Sequence, residues 1–444
     1  METAMKKVLI LGAGLVSRPM VRYLLDEARC RVTVASRTAA KADGLIAGHQ
    51  NGAAVQLLVD DDTALARLVK EHDLTVSLLP YTYHVQVARH CLRHRRHLVT
   101  TSYVSDAMRV LDSEARKAGV LLLNEIGLDP GIDHMSAMAI VHRVQAAGGR
   151  VTGFRSYCGG LPAPEANDNP LGYKFSWSPK GVVMAGRNDA RYLKDGGEVF
   201  VPGRDLFGHR WRLSIKGQGE FDAYPNRNSL PYIGLYGLEG VRTMLRGTLR
   251  NPGWCDTLKA IADLGILDDR VRDDLAGLTC AAWVRTYIPE VGDLRGDVAA
   301  RLGLAPDAPV VENMAWLGMF ADDPVGPARG SSLDILAGLM LQRMAYRPGE
   351  RDMIVLHHEF SVEYPGRPQG GITSTLVVFG EPNGDSAMAR TVSLPAAVAV
   401  RLIVEGRLEM RGVHIPIASE LYQPVLEELG RLGIECVERI SPAN

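Results

Sequence analysis

The chain has 444 residues, with 50 lysines and arginines against 51 aspartates and glutamates. That length exceeds one ordinary core and points to two or three domains, each able to bury an apolar interior. The near-neutral balance offers no basic surplus for nucleic acid and no single-sign field for a membrane surface, so neither partner is expected.

Val8-Leu9-Ile10-Leu11 reads as a buried parallel strand, Gly12 to Ser17 as a glycine turn, and the residues up to Leu25 as a helix packed back on the strand. In this turn Gly12 permits the tight bend and Gly14 lets a dinucleotide pyrophosphate approach the backbone, while the helix N-terminus supplies free N–H groups. Ser17 stands where a third glycine or alanine is more usual. The pattern is short, and its place after a strand near the N-terminus is what makes a dinucleotide site the first hypothesis.

A second strand, Arg31 to Ala35, ends at Ser36-Arg37-Thr38. An acidic residue there would suit the ribose hydroxyls of NAD, whereas an arginine between two hydroxyls suits a 2′-phosphate, so NADP(H) is preferred. The plain alternative is a solvated loop arginine. Ala53 to Val59 reads as a third strand, and Asp60-Asp61-Asp62 as the start of a helix over Thr63 to Val69 rather than a metal site. Leu74 to Leu79 is a fourth strand stopped by Pro80. His90, His94 and His97 follow in a basic cluster read as a solvated helix end, and no metal site is expected. Leu98-Val99-Thr100 delivers Thr101-Ser102-Tyr103 to the binding edge.

After a helix over Ser105 to Ala118, the strand Val120 to Asn124 opens into Glu125 to His134, where glycines flank a proline beside titratable groups. Asp129 is the candidate there, as a ligand contact or as a helix N-cap. Val151 to Tyr157 reads as a strand entering a glycine- and proline-rich loop from Cys158 to Pro164. From about Leu245 to Met344 the pattern turns helical. Met353 to Leu356 and Ile372 to Val378 read as returning strands, and Leu394 to Glu405 and Leu421 to Leu432 as helices before a last strand near Cys436. The six cysteines, at 30, 91, 158, 255, 280 and 436, form no CxxC pair and read as reduced thiols. No signal-peptide core or membrane-spanning apolar stretch is read, so a soluble, cytoplasmic protein is expected.

Ser102-Tyr103, NEIGLDPGIDH (124–134), SYCGGLPAPEANDNPLGYKFSWSPKGV (156–182), YPNR (224–227), RGTLR (246–250), RDMIVLHHEFSVEY (351–364) and GIECVERI (433–440) together resemble the saccharopine reductase family, the NADP-dependent, L-glutamate-forming saccharopine dehydrogenases. The resemblance runs along essentially the whole chain. It implies an α/β fold: a Rossmann-type doubly wound parallel sheet over 1–133, completed by 394–444. It also implies a mixed α/β substrate and dimerisation domain over 134–244 and 345–393, and a helical insertion over 245–344.

The same resemblance implies the reductive condensation of L-2-aminoadipate 6-semialdehyde with L-glutamate to saccharopine, using NADPH, in lysine metabolism, by a homodimer. Carried over residue by residue, Ser102, Tyr103, Asp129, Arg227, Thr248, Leu249 and Arg250 would meet saccharopine. Gly12, Ala13, Gly14, Leu15, Val16, Ser36, Arg37, Thr38, Leu58, Val59, Leu79, Thr101, Ser102, Leu128, Asp129, Pro130 and Ser176 would meet the cofactor. Leu58 departs from the family's usual aspartate, which leaves only a backbone contact there. Arg227 and Arg250 suit a product with three carboxylates, each guanidinium holding a carboxylate by two hydrogen bonds. Asp129, Tyr103 and Cys158 are the candidates for proton transfer, with a packed neutral thiol as the alternative for Cys158. A relative joining another aldehyde and amine, such as carboxynorspermidine dehydrogenase, and a non-catalytic NADP-binding redox sensor are the other readings. A diamine substrate would leave the two arginines without carboxylates to hold.

Overall fold

An apolar run without polar alternation is stable as a strand only when both faces are covered. Val8–Leu11, fully buried, is such a run. In the computed structural model, which describes residues 5–326 and 328–441, it forms most of β1 (Lys7–Leu11). The same unit holds β2 (Arg31–Ser36), β3 (Gly52–Gln56), β4 (Leu74–Ser77), β5 (His97–Thr100) and β6 (Leu121–Leu123). A late strand, Gly412–His414, lies beside β6, giving the order Gly412–His414, β6, β5, β4, β1, β2, β3. Every neighbouring pair is parallel. Helices therefore have to make the crossovers, which is the doubly wound arrangement expected.

This first unit comprises Met1–Arg150, Tyr364–Arg367 and Ser374–Arg439. The C-terminal segment completes it through two helices, Ala387–Val404 and Ser419–Arg431, the former packed on the helix Arg18–Asp26. Tyr23 on that first helix donates to Glu428 at 2.8 Å, and Arg401 holds the same carboxylate at 3.0 Å. The helix Ile132–Ala146 packs on Ser419–Arg431 and so lies in this unit, with the division falling after Arg150 rather than at 133.

Several local expectations change. β3 ends at Gln56, so Leu57 to Val59 leave the sheet. The stretch 105–118 forms two helices, Asp106–Arg109 and Asp112–Ala118, where the Asp112 carboxylate accepts from Val413 N. The histidine cluster is not simply a solvated helix end. His90 is buried 2.7 Å from Asp62, and His97, half-buried like His94, opens β5 rather than ending the helix, its Nδ1 accepting from Leu121 N. Asp61 does start its helix, accepting from Ala64 N at 3.0 Å. Ala387–Val404 is long and apolar enough to cross a membrane, against the sequence reading, which Pro395 and the flanking polar residues obscured. Most of it is buried as a core helix of the first unit.

The second unit comprises Val151–Glu363, Pro368–Thr373 and Ile440–Asn444. Its strands are β7 (Arg150–Pro162), β8 (Ala190–Lys194), β9 (Gly197–Val201), β10 (Trp211–Ile215), β11 (Gly219–Pro225), β12 (Thr243–Arg250) and β13 (Asp352–Glu363). They run in the order β10, β11, β12, β7, β13, with β8 on β12 and β9 on β8. β12 is parallel to β7 and antiparallel to β11, so the sheet is mixed. β7 continues through Cys158 to Pro162, where the sequence suggested a loop. Gly159 is needed there because a Cβ would come within 2.8 Å of Leu249 on β12, so the glycine serves close strand packing. Residues 245–250, expected to be helical, belong to β12, since both neighbours pair with them. The helices start at Trp254 and continue to Arg343.

Candidate active site

Because β1 to β6 are all parallel, their carboxyl ends share one edge, the edge where doubly wound folds bind ligands. Gly12–Val16, Leu58–Val59, Leu79 and Thr101–Ser102 follow those strand ends, and Ser36–Thr38 spans the end of β2. Gly12 has φ +113° and a Cβ there would lie 3.1 Å from Leu78 O, so the turn requires glycine. Ser17, fully buried, donates to Gly12 O and accepts from Gly14 N at 3.1 Å, so the residue that departs from the usual pattern stitches the turn shut. A Cβ on Gly14 would meet nothing within 4 Å. That open backbone beside a helix N-terminus fits a dinucleotide pyrophosphate.

Arg37 is exposed, and its carbonyl accepts from Gln56 Nε2 at 3.2 Å while Ser36 Oγ accepts from Thr38 N. Among the described residues its guanidinium has no partner, which suits a 2′-phosphate ligand. Leu58 is largely exposed, whereas Val59 and Leu79 pack partly against the apolar cluster around Leu57 and Leu65.

Past β5 and β6 the edge carries the groups with chemistry. Tyr103 donates to Asp129 Oδ1 at 2.9 Å, so two of the expected residues meet. Asp129 is half-buried between Leu128 and Pro130, which are both buried, and its peptide bond to Pro130 is cis. It is not a helix cap. The N-cap position of Ile132–Ala146 is Gly131, whose N–H donates to Asp133. Gly131 has φ +148°, and a Cβ there would overlap Gly127, so these two glycines close a tight loop.

Three buried groups escaped the sequence reading. His84 sits between strand outlets, with Nδ1 2.9 Å from Ser77 Oγ and Nε2 2.8 Å from Ser102 Oγ. Burial pushes its imidazole down to about 4. Glu125 accepts from Val104 N at 2.9 Å and lies 2.8 Å from His134 Nε2. A histidine four residues after the proline that stops the fourth strand, and three acids, Glu125, Asp129 and Asp133, within the nine residues before His134, were the available signals.

In the second unit Arg250 ends β12 and is almost fully buried. Its guanidinium lies 5.0 Å from the Tyr173 ring centre and 5.5 Å from that of Trp254. Nη1 donates to Leu249 O at 2.8 Å, while Nε has no partner among the described residues. No carboxylate among the described residues pairs with it. Leu249 is fully buried, so only its backbone is open to a ligand role, and Thr248 lies opposite Cys158 in the register of β12 with β7. Cys158 is a buried thiol. Arg227 is exposed, at φ +55° just beyond β11, away from the β12 end that carries Arg250. Ser176 Oγ is buried without a partner among the described residues, an orphan hydroxyl that fits a ligand contact. The cleft of about 440 Å³ walled by Arg155, Tyr157, Tyr192, His209 and Trp211 contains none of these residues.

The chain matches two protein families in series. Residues 8–123 match the Saccharopine dehydrogenase NADP binding domain, and residues 127–434 the Saccharopine dehydrogenase C-terminal domain. This chain belongs to the saccharopine dehydrogenase family. Within that family, it is 41% identical to saccharopine dehydrogenase [NADP(+), L-glutamate-forming] of Pyricularia oryzae, over 98% of this chain and 99% of that protein. It is 39% identical to the protein of the same name from Schizosaccharomyces pombe, with the same coverage. The solved apo saccharopine dehydrogenase (L-Glu forming) of Saccharomyces cerevisiae superposes with a TM-score of 0.89 at 38% identity, covering 98% and 99% of the two chains.

The glycine turn and Arg37 lie inside the NADP-binding match, and NADP(H) is the cofactor of this saccharopine dehydrogenase family member. The C-terminal match begins at 127 and takes in the helix Ile132–Ala146, although that helix packs in the first unit.

Proposed function

We propose that this protein catalyses the NADPH-dependent reductive condensation of L-2-aminoadipate 6-semialdehyde with L-glutamate to L-saccharopine, and the reverse oxidation. The observation that carries the substrate class is Arg250. A buried guanidinium without a carboxylate partner is costly. A substrate carboxylate supplies the missing charge, and Tyr173 and Trp254 keep water from competing for it. A diamine substrate would leave Arg250 uncompensated.

The chemistry divides simply. Bound NADPH supplies the hydride. Arg250 binds one carboxylate end of the elongated product, and Arg227, set apart from it, answers to another. Asp129 is the group that exchanges protons with the substrate nitrogen or with departing water, a reading supported by its hydrogen bond from Tyr103. Cys158, a buried thiol opposite Thr248 in the strand register, is the further candidate for proton transfer.

The family resemblance supports a homodimer, and six free cysteines support a reducing, cytoplasmic setting. The test is turnover of L-saccharopine with NADP+ and NAD+ in parallel, followed by nicotinamide absorbance. Oxidation with a clear NADP+ preference is expected. No turnover despite demonstrated NADPH binding would refute the substrate assignment.

A further inference from the structure

Backbone bonds already join the β5 and β6 outlets, with Glu125 N donating to Ser102 O and Ile126 N to Thr100 O. The Glu125 side chain is therefore not needed for that purpose. Yet its carboxylate is buried, on a backbone at φ +58°, and both its oxygens are engaged. Oε1 accepts from the N–H of Val104, the residue after Tyr103. Oε2 lies 2.8 Å from Nε2 of His134, which is fully buried. His134 Nδ1 is 3.7 Å from the Asp133 carboxylate, and Asp133 Oδ1 accepts from Gly131 N at 2.6 Å, two residues after Asp129.

The cluster thus has two arms. One grips the segment that carries Tyr103, the other the loop that carries Asp129. Buried polar groups that are satisfied on every side rigidify what they touch, and a group in acid–base work must be held within about 0.5 Å of its working position. We propose that Glu125, braced by His134 and Asp133, is a positioning residue that sets the Tyr103–Asp129 hydrogen bond. This rests on the reading of Tyr103 and Asp129 as part of the reaction site.

The test is a double-mutant cycle on the full chain with Glu125→Gln and Tyr103→Phe, reading kcat for saccharopine oxidation and the Kd of NADPH by fluorescence. Glu125→Gln is expected to lower kcat about tenfold and to leave the NADPH Kd within about twofold. In the Tyr103→Phe background the same substitution is expected to cost less than about twofold, because contacting residues that act through one another are not additive. Equal losses in both backgrounds, or an unchanged kcat for Glu125→Gln, would overturn the proposal while leaving the site reading intact. Unchanged turnover for Tyr103→Phe alone would overturn the site reading, and the proposal with it. Should Glu125→Gln fail to fold, His134→Gln enters the same cycle under the same criteria.

Discussion

The guanidinium of Arg250 stacks 5.0 Å from the Tyr173 ring, yet no carboxylate among the described residues answers its charge. A protein that retains such a group sacrifices stability for binding. Arg250→Met is therefore expected to lower kcat/KM for saccharopine about a hundredfold or more. The thermal midpoint should stay level or rise, because an uncompensated buried charge has been replaced by an apolar chain. Calorimetry beside steady-state kinetics checks both halves, and a large fall in the midpoint would mean that Arg250 serves the fold.

Asp129 accepts from Tyr103 at the edge past β5 and β6. Asp129→Asn keeps the shape and removes the exchangeable charge, so kcat is expected to drop about ten- to a thousandfold. The pH profile of kcat should lose one limb. If rate and profile both survive, the substrate's own amine and carboxylates carry the protons.

Arg37 stands exposed just past β2, its guanidinium without a partner among the described residues. Arg37→Ala is expected to weaken NADPH about ten- to a hundredfold, the worth of a charge-assisted hydrogen bond to phosphate. NADH should be unaffected. Fluorescence titration of both cofactors is the measurement, and an equal loss for the two would place Arg37 elsewhere than on the 2′-phosphate.

His84 is held neutral by burial, its pKa lowered from 6.5 to about 4. Between those values the unfolded chain binds the proton and the folded one does not, so stability rises with pH across that window. Its contribution is complete above about pH 6.5 and is lost as pH falls toward 4, by roughly 3 kcal/mol. His97, also lowered to about 4 by burial, acts in the same direction. His84→Gln should flatten this slope, and equal slopes for wild type and variant in denaturant melts from pH 4 to 7 would contradict the argument.

What the sequence by itself determined is the local chemistry whose partners are close along the chain. The glycine turn after β1, Arg37 at the end of β2, the Asp61 helix start and the parallel order implied by alternating strands and helices all depend on residues within a few positions of one another. Motifs spread over the whole length carried the family. Tertiary structure decided the rest. Arg250 becomes a buried cation, with no carboxylate beside it among the described residues, only because Tyr173 and Trp254 fold around it. β7 runs on through Cys158 and Gly159 only because β12 lies close enough to demand a residue without a side chain. Glu125 becomes a brace only when Val104 and His134 reach its two oxygens. Burial and pairing at long range set those roles, and neither is written in the spacing of residues along the chain.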